Sequence, residues 1–227
     1  MQKPCFLMSL VAAALVAGCS STPKQTSGAD GMLNLFNGRD LTGWRAYLSD
    51  HRFTRDDVWS VVDGILVCRG EPMGYLYSQE VFEDFRLVVE WRWAPGKPPG
   101  NSGILMRING EPRPLPRCLE SQLKSGSAGD LYAFHEMKLG GDPARLDTIA
   151  NHELGGNISG LPRLSTAELA PGEWNVAEIT VQGGAVTVLV NGVKVNEATD
   201  CELVRGPVGL QSEGGEIHFR TVRIQPL

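Results

Sequence analysis

The chain has 227 residues, of which 42% are hydrophobic, and its 26 acidic and 21 basic residues give a formal net charge of -5. A chain of this size can bury a core without disulfide staples, and it is too apolar and too weakly charged to be disordered. Its mild acidity and its lack of a Lys/Arg cluster exclude a nucleic-acid binder, because phosphate binding needs a concentrated basic surface. The composition also excludes collagen, a coiled coil and a multi-span membrane protein.

The first residues predict an export signal rather than a part of the fold. Lys3 precedes an apolar stretch over residues 5–17, which is shorter than the about 20 apolar residues of a membrane-spanning helix. The stretch ends in Val-Ala-Gly followed by Cys19, which resembles the lipobox of bacterial lipoproteins. The resemblance implies a signal peptide over residues 1–18 and a lipid on Cys19. An ordinary secretory signal that is cut nearby is the alternative.

Residues 19–32 are polar and rich in Ser, Gly and Pro, a composition that predicts a flexible tether. Ser20 follows the cysteine, and under the sorting rule that such lipoproteins resemble, a serine there favours the outer membrane. We therefore expect the protein in the bacterial cell envelope, in contact with the membrane through its lipid alone.

Three cysteines remain beyond the signal and Cys19, namely Cys68, Cys118 and Cys201. Their number is odd and none of them forms a CxxC pair, so this spacing cannot build a zinc site. One disulfide with one free thiol and three separate buried thiols are both compatible with the sequence.

The remainder, residues 33–227, predicts one all-β domain, since short β-branched and aromatic segments alternate with turn signals. The predicted strands cover residues 59–67 (two strands around Asp63-Gly64), 85–93, 102–108, 118–124, 174–181, 185–190, 193–196, 208–211 and 216–224. Asn191-Gly192 is the strongest hairpin signal among the turns. Many short strands of this kind favour a sandwich of two antiparallel sheets or a barrel, with helix limited to short pieces in the long segment 125–170. That segment interrupts the alternation of short strands and turns, and a loop of this length is usually functional or disordered.

Alternation along the strands predicts which side chains share a face. In the strand over residues 118–124, polar residues occupy every second position, and the same holds for parts of the two preceding strands. Three consecutive strands could thus present one polar face that carries Glu90, Arg92, Arg107, Glu120, Gln122 and Lys124. A solvated sheet face with ordinary ion pairs is the alternative interpretation.

Eight short motifs follow one another along the domain: Leu-Phe-Asn-Gly-Arg-Asp-Leu-Thr-Gly-Trp at 35–44, Trp59 with Val-Asp-Gly-Ile-Leu at 62–66, Gly-Asn-Ser-Gly-Ile at 100–104 with Arg107, Glu120-x-Gln122, Gly-Glu-Trp-Asn at 172–175, Asn-Gly at 191–192, Gly-Leu-Gln at 209–211 and Phe-Arg at 219–220. This order resembles the DUF1080 family, the 3-keto-disaccharide hydrolase domain, over roughly residues 33 to 227. The resemblance implies a concanavalin-like jelly roll of two antiparallel sheets. Many members carry Asp-His-Gly after the Leu-Gln pair, whereas this chain has Ser212-Glu213-Gly214, so Glu213 stands where those members have the histidine.

The resemblance further implies an enzyme that cleaves the glycosidic bond of a sugar already oxidised at C3. The ketone acidifies the C2 proton, so a base can remove it, the C1 substituent leaves by elimination, and water adds back. We assign the base to Glu120 and an enolate or hydroxyl clamp to Arg107, because guanidinium stays charged. His135 is the candidate acid or second base, because imidazole titrates near neutral pH. The predicted substrate-binding residues are Gln122, Asn101, Lys124, Asp130, Gln211 and Glu213.

Other chemistries remain open from the sequence. Glu120 with Asp130 or Glu213 could form a conventional glycosidase pair, whose separation would distinguish retention from inversion. No cofactor is certain, although a divalent metal held by Glu120 and Asp130 could polarise the ketone. The same jelly roll could also be a carbohydrate-binding module without catalysis, or a structural protein of the envelope.

Overall fold

The computed structural model describes residues 31–227, so the predicted signal peptide and Cys19 lie outside the described residues. It contains one short helix, α1, and sixteen strands in the described part of the chain: β1 Leu33–Asn34, β2 Trp44–Leu48, α1 Arg55–Val58, β3 Trp59–Val62, β4 Ile65–Cys68, β5 Gly74–Ser78, β6 Phe85–Trp93, β7 Gly103–Asn109, β8 Arg117–Gln122, β9 Leu131–Ala133, β10 Asp147–His152, β11 Gly156–Leu161, β12 Asn175–Gln182, β13 Ala185–Val190, β14 Val193–Ala198, β15 Gly209–Ser212 and β16 Ile217–Pro226.

The strands form two eight-stranded sheets, and all their pairings are antiparallel. In the first sheet the order is β14-β13-β12-β6-β16-β4-β3, with β1 added beside β16. In the second sheet the order is β10-β11-β9-β8-β7-β15-β5-β2. Because neighbours such as β6 and β16 are far apart in sequence, most of the architecture depends on long-range pairing.

The core lies between the two sheets, where alternate side chains of each strand meet. In β12, Ala177, Ile179 and Val181 are at most 1% exposed, whereas the residues between them are only partly buried. Burying a Val or Ile side chain stabilises the fold by about 1.5–3 kcal/mol. Cys68, Cys118 and Cys201 are free and buried, so of the two arrangements that the sequence left open the structure has three separate thiols.

The predicted hairpins and most strand positions are confirmed. Asp63-Gly64 joins β3 to β4 and Asn191-Gly192 joins β13 to β14, and all four residues have positive φ, as tight hairpin turns require. The helix expectation was wrong, since α1 lies before β3 and not in the long segment. That segment is also more regular than predicted, because β9, β10 and β11 extend the second sheet there.

The prediction of one polar face across three consecutive strands was wrong. Strand β6 pairs with β12 and β16 in the first sheet, so Glu90 and Arg92 lie on a different sheet from Glu120. They belong to a charged surface of that sheet, where Arg92 stacks over the Trp174 ring at 4.5 Å. No helix among residues 31–227 is long and apolar enough to cross a membrane.

Candidate active site on the second sheet

Three adjacent strands of the second sheet direct a row of side chains away from the core. Leu105 of β7, Glu120 of β8 and Tyr132 of β9 are direct cross-strand partners, so their side chains share one face. Gln122 of β8 pairs with Gly103 on the same face. The opposite face of these strands, with Ile104, Met106 and Leu119, packs into the core between the sheets. We call the face that carries Glu120 the outer face of the second sheet.

Glu120 is held in a space that a glycine makes available. It is only 2% exposed, and a Cβ at Gly103 would lie 1.8 Å from Glu120 Oε1. Burial raises the pKa of the Glu120 carboxyl well above its ordinary value, and the neighbouring Glu213 carboxylate raises it further. Glu120 Oε1 is also buried without a hydrogen-bond partner. These conditions favour a protonated Glu120 at neutral pH, which can donate a proton to a ligand.

Glu213, just after β15, completes a carboxylate pair with Glu120. Burial raises its pKa, whereas the nearby side-chain amides of Asn101 and Gln211 and the charge of Lys124 oppose that rise. No such lowering influence acts on the pKa of Glu120. The shared electrostatics therefore favour the proton on Glu120 and the negative charge on Glu213. Two carboxyl groups with different environments can act as an acid and a base in one site.

The two amides beside Glu213 leave acceptors free for a ligand. Because a carboxylate only accepts hydrogen bonds, an amide lowers its pKa by turning an N–H group towards it. Their carbonyl oxygens, Asn101 Oδ1 and Gln211 Oε1, are buried and lack a partner. A buried acceptor left unpaired costs about 1–3 kcal/mol. A ligand with several hydroxyl groups would remove this cost.

Arg107 is not part of this site, so the prediction of an enolate clamp was wrong. A β-bulge interrupts the β7–β8 register between Met106 and Asn109, and Arg107 has a φ of 53°. Its guanidinium is fully buried. It donates to one carboxylate oxygen, Asp84 Oδ1, and to the carbonyl oxygens of three strand connections, namely Glu83 O, Gly183 O and Glu202 O. Arg107 therefore joins three loops and does not face Glu120.

His135 is also engaged elsewhere, which contradicts its assignment as the acid. Its Nδ1 lies 3.1 Å from Arg113 Nη1, and its Nε2 lies 2.9 Å from the carbonyl oxygen of Leu115. Both ring nitrogens thus have partners in the β7–β8 connection. The residue also has a φ of 56°, consistent with a structural role at the end of β9.

Gln122 and Asp130 lie close to the site, but their oxygens are used locally. Gln122 Oε1 accepts hydrogen bonds from the backbone N–H groups of Leu123 and Lys124, at 2.9 and 2.8 Å. Asp130 Oδ1 accepts from the backbone N–H and from Nη1 of Arg163, at 2.8 and 3.0 Å. Asp130 is therefore an anchor for the segment after β11, and a hydroxyl contact through the Gln122 carbonyl is excluded in this arrangement.

Of the predicted residues, the structure brings together Glu120, Asn101, Lys124, Gln211 and Glu213. One further residue was missed. Tyr132 is the cross-strand partner of Glu120, and its pKa is raised by burial and by the charges of Asp130 and Glu120. Alternation along β9 could have indicated Tyr132.

The candidate metal ligands do not form a cluster. Within residues 31–227 there is no group of three or more His, Cys, Asp or Glu side chains suited to a metal ion. Asp130, the second ligand in that hypothesis, is paired with Arg163. The geometry gives no support for a metal held by Glu120 and Asp130.

Comparison with known proteins agrees with this architecture. The family model described as a 3-keto-alpha-glucoside-1,2-lyase-like domain matches residues 31–225. A Bacteroides thetaiotaomicron protein named 3-keto-disaccharide hydrolase is 25% identical over 244 residues, which cover 88% of this chain and 79% of that protein.

Among solved structures, a candidate glycosyl hydrolase from Parabacteroides distasonis has a TM-score of 0.63 at 21% identity, covering 88% of this chain and 95% of that one. A Bacillus licheniformis beta-glucanase has a TM-score of 0.57 at 14% identity, covering 88% of this chain and all of that one. A carbohydrate-binding module from Bacillus subtilis has a TM-score of 0.58 at 12% identity, covering 81% and 95% of the two chains. The fold is the concanavalin-like jelly roll that was predicted.

Proposed function

Because the chain belongs to the family of 3-keto-alpha-glucoside-1,2-lyase-like domains, we propose that its outer face cleaves a glucoside already oxidised at C3. The observation that carries this proposal is the carboxylate pair, in which burial favours a protonated Glu120 beside a charged Glu213. The proposed substrate follows the family description and the name of the B. thetaiotaomicron relative.

The first half of the reaction is an elimination. Glu213 takes the C2 proton, and the electron pair of that C–H bond moves onto the C3 ketone as an enolate. When the ketone re-forms, the C1–O bond breaks, a C1=C2 double bond forms, and Glu120 gives its proton to the departing oxygen. The base is thus Glu213 rather than Glu120, which reverses the role that the sequence alone suggested for Glu120.

The second half adds water and restores both carboxyl groups. Glu120, now ionised, takes a proton from water as the hydroxyl joins C1, and Glu213 returns its proton to C2. The sum is hydrolysis, while release after the first half gives a lyase product. The unpartnered Asn101 Oδ1 and Gln211 Oε1 are suited to accept hydrogen bonds from the sugar hydroxyls.

The decisive experiment separates proton removal from bond cleavage. The purified full chain is incubated with a 3-keto-α-glucoside in deuterated water, and mass spectrometry follows both deuterium at C2 and release of the aglycone. Glu120→Gln should still exchange the C2 proton but cleave about a hundredfold more slowly, whereas Glu213→Gln should lose both by a similar factor. Glu216→Gln is the matched control, because this glutamate pairs with Lys97 and His218 beside the first sheet.

The opposite pattern, with exchange lost in Glu120→Gln and kept in Glu213→Gln, would reverse the two roles. Binding of the keto-sugar without exchange or cleavage by the unaltered chain would instead indicate a carbohydrate-binding module. That alternative shares this fold with the B. subtilis module, but it gives no reason to bury two neighbouring carboxyl groups.

A further inference from the structure

The outer face of the second sheet carries an apolar cluster that is separate from the main core. Its buried members surround Leu105, and its partly exposed members form its surface. The cluster consists of Tyr75, Leu105, Leu115, Cys118, Phe134 and Ile158, with Tyr47, Met73, Tyr77, Ile108 and Tyr132 packed against them. We call it the satellite cluster. All four tyrosines of the chain belong to it, so it is unusually aromatic for this protein.

One edge of the satellite cluster borders Glu120. Leu105 and Tyr132 are the cross-strand partners of Glu120 on its two sides, and directly opposite residues have Cβ atoms about 4.5–5.5 Å apart. Two positions further along this face, Cys118 of β8 and Phe134, which directly follows β9, continue the apolar surface away from the polar groups. Glu120 therefore lies at the boundary between a polar and an apolar half of the face.

The aromatic rings of the satellite cluster are fixed by one another. The Tyr47 and Tyr75 rings are stacked with centroids 5.7 Å apart, and Tyr77 lies 5.5 Å from Tyr75. On the other side of Glu120, the Tyr132 and Phe134 rings are stacked at 6.3 Å. Rings held in this way offer a rigid flat surface at little entropic cost.

We propose that the satellite cluster is the aglycone subsite and that it selects glucosides whose leaving group is an aromatic ring rather than a second sugar. This inference rests on the proposed function, since it places the scissile bond at Glu120. The polar half, with Asn101, Lys124, Gln211 and Glu213, then holds the keto-sugar.

Three physical reasons favour an aromatic leaving group. A second sugar ring would bring several hydroxyls against a surface whose polar side-chain atoms are mainly tyrosine hydroxyls, and unpaired hydroxyls oppose binding. A flat apolar ring instead buries its surface against Tyr47 and Tyr77 with a favourable free energy. A phenol also loses its proton at a pKa of about 10, like tyrosine, so it departs with less help from Glu120.

The test compares three 3-keto-α-glucosides that differ only in the leaving group, namely phenol, methanol or a second glucose. With the full chain we expect kcat/KM for the phenyl compound to exceed that for the other two by at least about tenfold. Tyr77→Ala should lower kcat/KM for the phenyl compound about tenfold, mainly through KM, and change the value for the methyl compound by less than about twofold. Tyr77→Phe should restore it, because the ring and not the hydroxyl supplies the surface.

Trp174→Ala is the matched control, since this ring lies on the first sheet between Arg92 and Arg220 and should affect no substrate selectively. A preference for the disaccharide, or an equal loss for phenyl and methyl compounds in Tyr77→Ala, would overturn the subsite while leaving the cleavage reaction intact.

Binding gives a second readout that does not depend on turnover. Unoxidised phenyl α-glucoside should bind the full chain at least about tenfold more tightly than methyl α-glucoside by titration calorimetry, and Tyr77→Ala should remove the difference. Equal binding of the two glucosides would overturn the subsite, whether or not any 3-keto compound is cleaved.

Discussion

Replacing Gly103 by alanine tests whether the position of Glu120 is what the site depends on. The added Cβ would lie 1.8 Å from Glu120 Oε1, 2.6 Å from its Cδ and 2.8 Å from its Cγ. The φ of Gly103 lies outside the left-handed region, so alanine strains no backbone there and acts only by pushing the glutamate. A normal contact requires the carboxyl to move by more than about 1 Å. Leu105 and Tyr132 flank it on the same face, so no space for that movement lies directly beside it.

Overpacking of this kind costs about 1–3 kcal/mol of folding free energy, and a displacement of about 1 Å at a reacting group costs about a hundredfold in rate. We therefore expect Gly103→Ala to remain folded in circular dichroism but to cleave a 3-keto-α-glucoside about a hundredfold more slowly. Gly184→Ala is the control, since its Cβ would meet nothing closer than 3.4 Å and its φ is likewise unconstrained. Turnover within about threefold of the unaltered chain for Gly103→Ala would show that Glu120 does not act from this position.

Four further outcomes are expected. The plot of kcat/KM against pH should be bell-shaped, since Glu213 must be ionised and Glu120 protonated, and its acidic limb should lie above the ordinary glutamate range because burial raises the pKa of Glu213. Glu120→Gln should raise the melting temperature at pH 8 more than at pH 4. Because the pKa of Glu120 is raised in the folded state, its protonation stabilises the fold fully below about pH 4.3, and this contribution is lost as the pH rises. Glutamine cannot ionise, so it avoids the buried charge at pH 8. Arg107→Lys should lose about 2–4 kcal/mol in urea unfolding, because an ammonium cannot replace the forked hydrogen bonds, yet it should keep kcat per folded molecule; lost turnover at full stability would return Arg107 to the site. We propose that Cys19 carries the lipid, so Cys19→Ala should fold but no longer sediment with membranes, and unchanged fatty-acid labelling would contradict this.

Local sequence signals predicted most of the strand positions but did not predict the order of the strands in the sheets. Asn191-Gly192 predicted its hairpin because a two-residue turn with positive φ is encoded by the turn residues themselves. Strand β6 was predicted with its observed bounds, but its neighbours β12 and β16 come from the last third of the chain. That pairing depends on burial between distant segments, which no local pattern encodes. For the same reason Glu90 and Arg92 were placed with Glu120, although they lie on the other sheet.

Within the site, alternation was reliable only where the ladder is regular. Strand β8 is regular from Leu119 to Gln122, and Glu120 points where its parity predicts. Strand β7 is not, because its bulge gives Arg107 a positive φ and turns the next residue, Ile108, towards the satellite cluster. One extra residue reverses the parity of everything beyond it. Strict alternation places Arg107 on the same face as Glu120, but in the structure Arg107 is buried and links three loops.

Position 213 carries a glutamate, so the site depends on its surroundings to keep two different protonation states. A glutamate at position 213 introduces a second negative charge next to Glu120, which by itself would raise the pKa of both carboxyl groups. Asn101, Gln211 and Lys124 lower the pKa of Glu213, whereas Glu120 has no hydrogen-bond partner on Oε1. The asymmetry therefore arises from the surroundings rather than from the two residues, which are chemically the same. Asn101 precedes β7 and Lys124 follows β8, whereas Glu213 follows β15, so only the folded chain assembles these groups around Glu213.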